Sequence, residues 1–76
     1  MSEKLPVLKA TEVIRMLERA GFFIHHQTGS HAQMKHSKKN ELRITIPIHS
    51  GDLPKPVLRS ILKQAQLTIE EFNTFR

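Results

Sequence analysis

Ser30-His31-Ala32-Gln33-Met34-Lys35-His36, followed after a polar turn by Leu42-Arg43-Ile44-Thr45-Ile46, decides the fold. Successive side chains of a strand point to opposite faces, so a period of two marks a half-buried strand. In the first stretch Ala32 and Met34 fall on one face, with His31, Gln33 and Lys35 on the other. In the second, Leu42, Ile44 and Ile46 point inward and Arg43 and Thr45 outward. Ser37-Lys38-Lys39-Asn40 is the turn between them, and Pro47 ends or edges the last strand. Upstream, Phe22 to Gln27 holds two aromatics and a β-branched residue before Thr28-Gly29. These three runs, joined by short loops, predict an antiparallel meander.

Helical spacing takes over on both sides. Pro6 opposes an early helix and leaves residues 1–10 as a lead-in. Thr11 is the expected N-cap, with Glu12 in the first turn. Val13, Ile14, Met16, Leu17 and Ala20 form an apolar stripe that ends at Gly21, where a left-handed terminator belongs. Residues 48–55 form a connector, after which Pro56 is expected at the first helical position. Val57, Leu58, Ile61, Leu62 and Ala65 give that helix its buried face, and Lys55, Arg59 and Lys63 recur along its flank. Thr68 and Glu71 form a capping box, with Leu67 and Phe72 as its staple, opening a short terminal turn over residues 69–75.

The order predicts an α+β domain, α-β-β-β-α, with both helices on one face of a three-stranded antiparallel sheet. One domain is expected over residues 1–76, with its core over about 11–72. The helices should cover Ile24, Ala32, Met34, Leu42, Ile44 and Ile46. Strand parity then exposes His25, Gln27, His31, Gln33, Lys35, Arg43 and Thr45 on the opposite face. A one-residue slip of the second strand would bury His31 and expose Met34.

Composition narrows the function. Twelve Lys and Arg against seven acids leave a net charge of +5 and a pI near 10.1. Such a balance suits a polyanion, most often nucleic acid, although many small domains are simply basic. The chain has no cysteine, no apolar run long enough to cross a bilayer and no secretory h-region, so a cytoplasmic location without a membrane partner is expected. Carboxylates are scattered and there is no Gly-rich phosphate loop. Gln27-Thr28-Gly29-Ser30-His31, a tight turn against a histidine, is the stretch left with chemical potential. His25 and His26 are adjacent on a strand and should point to opposite faces. With no cysteine or carboxylate beside them, no metal site and no cofactor are expected.

Four segments resemble the HicA (YcfA-like) toxins of bacterial toxin–antitoxin pairs. They are Ala20-Gly21-Phe22, Gln27-Thr28-Gly29-Ser30-His31, Ile46-Pro47-Ile48-His49-Ser50-Gly51 and Leu58-Arg59-Ser60-Ile61-Leu62-Lys63-Gln64-Ala65. The resemblance implies a fold similar to double-stranded-RNA-binding domains and the activity of an mRNA interferase. It also implies neutralisation by a HicB-like antitoxin, expected to cover the His31 face, and it makes His31 the essential histidine. Two departures bear on helix ends: Pro56-Val57 stand where the family often has Gly-Thr, and Gln66 where it often has Gly. A left-handed Gln66 would cost on the order of 1 kcal/mol.

A ribonuclease can use the ribose 2′-hydroxyl as nucleophile and therefore needs no serine, cysteine or metal of its own. It needs a proton shuttle and cations for the developing charge. Histidine is the residue type suited to the first task near neutral pH. On this reading His31 is the general acid or base of a metal-independent endoribonuclease, and Gly29 supplies backbone permissiveness in the turn. Ser30 shapes the turn or touches a phosphate. Lys35 and Arg43 hold phosphate beside His31, or are a solvated strand surface. Lys55 and Arg59 follow a phosphate row, meet an acidic antitoxin, or are solvated. His49 is a second shuttle or a connector contact, Phe23 stacks a base or packs, and His36 is structural or solvent-facing. The alternative function is a non-catalytic RNA-binding module or an inactive toxin homologue.

Overall fold

Six elements follow one another in a computed structural model that describes residues 4–76: α1 (Ala10–Arg19), β1 (Phe22–Gln27), β2 (His31–His36), β3 (Arg43–Pro47), α2 (Lys55–Ala65) and α3 (Ile69–Asn73). Met1–Glu3, the start of the expected lead-in, lie outside the described residues. The strands pair antiparallel in the order β1-β2-β3. The fold is the expected α+β meander, with α1 and α2 packed on one face of the sheet.

The cap of helix α1 lies two residues before the expected position. Lys9, not Thr11, is the N-cap. Glu12 decides this: its carboxylate accepts the Lys9 backbone N–H at 2.9 Å, the half of a capping box that a side chain three residues into the helix supplies. The helix ends at Gly21, whose φ of +105° few other residues adopt. A Cβ there would also lie 2.8 Å from Nε2 of His36, so both conformation and space require glycine.

In α2, Pro54 is the N-cap and Lys55 the first helical residue, so Pro56 sits one position further in than expected. The first backbone N–H groups of a helix have no intrahelical partner, so the shift loses no hydrogen bond. Gln66 closes the helix in the left-handed region at φ 57°, and the Leu67 N–H reaches back to the Leu62 carbonyl at 3.0 Å. The capping box of α3 forms as expected between Thr68 and Glu71. The Thr68 backbone N–H, then its side chain, hold the Glu71 carboxyl below the usual carboxylate range, with a smaller pull from Lys39.

The core gathers the stripes of both helices with Ala32, Met34, Leu42, Ile44, Ile46 and Phe72. It extends further towards the N-terminus than residue 11: Leu5 and Leu8 are buried, and the Leu53 N–H donates to the Leu8 carbonyl at 2.8 Å. Ile24, expected in the core, is 37% exposed. Only Phe22 of β1 is buried, so this edge strand runs out beyond the layer that covers its neighbours. The opposite edge is closed. The Thr45 N–H points away from β2 and donates to Gln64 Oε1 of α2 at 3.0 Å, and Gln64 is braced by Ser60.

Candidate active site

The turn between β1 and β2 is organised by a hydroxyl. Thr28 Oγ1 accepts the backbone N–H of His31 at 3.1 Å and that of Ser30 at 3.3 Å, while the Thr28 N–H donates to the His31 carbonyl at 2.9 Å. This side-chain-to-backbone pattern replaces the left-handed backbone that a two-residue hairpin loop otherwise favours. Gly29 accordingly lies outside the left-handed region, and a Cβ on it would meet nothing within 4 Å. The turn does not draw on glycine's permissiveness. Thr28 is the residue that the sequence reading passed over.

His31 leaves this turn on the uncovered face. Ala32 and Met34 are buried while His31 and Gln33 are exposed, so the register is the one that presents the imidazole. Its Nδ1 lies 3.0 Å from Ser30 Oγ. Among the described residues no hydrogen bond engages Nε2. Ser30 is thus the neighbour that orients the ring, and the direction of their shared proton selects whether Nε2 is a donor or an acceptor.

The adjacent strand completes this end of the sheet. His31 pairs with Pro47, and the Ile48 N–H donates to the Ser30 carbonyl at 2.7 Å. That bond makes the 30–48 pair a hydrogen-bonded one, and alternation makes 31–47, 33–45 and 35–43 the closer, non-bonded pairs. Pro47, which lacks an N–H, therefore loses nothing. His49 is exposed, one residue beyond the Ile48 contact, which brings it to the same end of the sheet as His31.

Lys35 and Arg43 are direct cross-strand partners on the His31 face, but they are not beside His31. Lys35 is four positions along the strand from His31, about 13 Å at the usual rise. Lys35 and Arg43, expected to hold phosphate beside His31, share its face but stand four positions further along the sheet. They line a separate notch with His25, Gln33 and Thr45. His25 faces it, as parity alone expects; the β1–β2 register shift between Ile24 and His26 adds His26, so that both oppose Gln33. The bulge also places Gln27 opposite inward-facing Ala32, not on the outer face, and removes the parity argument that set His25 and His26 on opposite sides. Among the described residues no group of three or more His, Asp or Glu could hold a metal ion. Lys55 and Arg59 are exposed on α2.

His36 is a different case. Its Nδ1 accepts the N–H groups of Lys38 and Lys39 at 3.0 and 3.1 Å, which puts the ring proton on Nε2, 3.3 Å from the Ala20 carbonyl. The ring also stands edge-on to Phe22, with centroids 4.8 Å apart.

A family model described as "HicA toxin of bacterial toxin-antitoxin" matches the chain over residues 10–67. That span contains α1, all three strands, α2 and every candidate site residue. No curated protein matches the chain.

Proposed function

The chain belongs to the HicA toxin family of bacterial toxin–antitoxin systems, and we propose that it is a metal-independent endoribonuclease that cuts mRNA with His31 as general acid or base. Membership carries the toxin role and, in general, an antitoxin partner. The observation that carries the chemistry is the exposed His31 residue, tied through Nδ1 to Ser30 while, among the described residues, no hydrogen bond engages Nε2.

With Nδ1–H donating to Ser30 Oγ, Nε2 takes the proton of a ribose 2′-hydroxyl. The 2′-oxygen then attacks the adjacent phosphorus, the bond from phosphorus to the 5′-oxygen breaks, and a 2′,3′-cyclic phosphate and a 5′-hydroxyl result, the 5′-oxygen taking its proton from water. With the Ser30 hydroxyl donating to Nδ1, Nε2–H instead protonates the leaving 5′-oxygen, and water takes the proton of the 2′-hydroxyl. One such group contributes about 10²- to 10⁴-fold, so a single-histidine enzyme is slow. Slow turnover suffices for a toxin that acts on few targets. Lys55 and Arg59 serve as RNA or antitoxin contacts, and a HicB-like antitoxin neutralises the protein by covering the His31 face.

Incubating purified protein with RNA tests this. Wild type should cleave, and His31→Ala should not, with its thermal unfolding unchanged. Full cleavage by that variant would remove His31 from the chemistry. A second reading, a non-catalytic RNA-binding module, draws on the separation between His31 and the Lys35–Arg43 pair. It predicts salt-sensitive RNA binding by wild type without any cleavage.

A further inference from the structure

We propose that Phe23, Lys35 and Arg43, with His25 on the same face, form a nucleotide subsite. It would hold one phosphate and one stacked base of the RNA strand whose scissile bond lies at His31. The identity of the strand rests on the ribonuclease reading; the geometry of the subsite does not.

Lys35 and Arg43 face each other in a non-hydrogen-bonded pair, with Cα atoms about 4.5 Å apart, the closer of the two antiparallel arrangements. Like charges set directly opposite on a strand pair repel. No carboxylate lines the notch they share, which measures about 130 Å³ and is otherwise bordered by His25, Gln33, Met34, Ile44 and Thr45. A bound phosphate turns that repulsion into two attractions, and the polar ends of Gln33, Thr45 and His25 add hydrogen-bonding groups around it. Phe23 is the cross-strand partner of Lys35, so ring, ammonium and guanidinium lie in one row across three strands. Phe23 is 45% exposed, whereas Phe22 and Phe72 are buried and Phe75 is partly buried against the core. Aromatic faces beside cations bind single strands by stacking bases while the backbone is neutralised. An acidic protein segment would use the two cations and leave the ring unused, which favours RNA. The row lies about 13 Å along β2 from His31, a span that the same strand can bridge past Gln33 and Thr45.

The test uses a short, dye-labelled, single-stranded 2′-O-methyl oligoribonucleotide, which lacks the attacking hydroxyl and survives with active protein. Its affinity is measured across a salt series for wild type, Lys35→Gln/Arg43→Gln, Phe23→Ala and Phe23→Leu, each checked by thermal unfolding. The double variant should bind at least tenfold more weakly, and its log K against log[salt] slope should be shallower by about 1. Both Phe23 variants should lose about fivefold or more with the slope unchanged, because Leu keeps the apolar bulk and lacks the stacking face. Wild-type affinity and slope in all three variants would overturn the subsite. So would intact oligonucleotide binding with lost affinity for an acidic protein partner. If wild type fails to cleave RNA but these losses appear, the nuclease reading falls and the subsite stands.

Discussion

At one end of β2, His36 engages both ring nitrogens with backbone groups and lies edge-on to Phe22, over a glycine that leaves no room for a Cβ. At the other end, His31 is held by one nitrogen only, beside a glycine with open space around it. The two residues share a strand and a chemistry. They differ in what the backbone asks of them: the chain leaving β2 needs an acceptor for the Lys38 and Lys39 amides, while the turn entering β2 has its amides satisfied by Thr28. A histidine relieved of structural duty can be given to a substrate.

The largest expected effect separates the two ends by function. His31→Ala should take RNA cleavage below detection, a loss of about 10²- to 10⁴-fold, with stability nearly unchanged. A loss of stability matching the loss of rate would make His31 structural as well. Next, the glycines should part. Gly21→Ala should destabilise by about 2 kcal/mol or more in denaturant titration, from a forbidden φ and a clash with His36. Gly29→Ala should stay within about 1 kcal/mol of wild type. Equal effects would erase the distinction drawn between the two turns. His36→Ala should cost about 1 kcal/mol, from two backbone hydrogen bonds exchanged for water and the lost edge-on contact with Phe22, while cleavage per folded molecule stays at the wild-type level. Of the two variants expected to slow cleavage, Ser30→Ala has the smaller effect. Cleavage should fall about tenfold, a loss of about 1.4 kcal/mol in transition-state stabilisation, with Ser30→Thr restoring it. Unchanged cleavage in Ser30→Ala would deny Ser30 any part in orienting the ring.

The meander, both long helices and the exposure of His31 were legible because each rests on a period. Ala32 and Met34 fix the face of β2 whichever way its ends fray. What escaped has no period. The bulge at His25 adds one residue to a strand whose alternation was already weak, and it redirects every outward side chain after it. Thr28 acts through one hydroxyl, a turn signal that the neighbouring glycine overshadowed. Leu5 and Leu8 are three apart, enough to suggest a buried face, yet Pro6 drew them into a lead-in. The separation of His31 from Lys35 was countable in the sequence. Residues on one face of a sheet are neighbours only when they are also in adjacent rows.

The most direct test of RNA supplying its own nucleophile is an end-group analysis of cleaved RNA, made in the presence of EDTA with wild type and His31→Ala side by side. Wild type should yield 2′,3′-cyclic phosphate and 5′-hydroxyl ends at an undiminished rate, and His31→Ala should yield none. Fragments carrying 5′-phosphate ends, or cleavage that stops in EDTA and returns with a divalent metal, would contradict it.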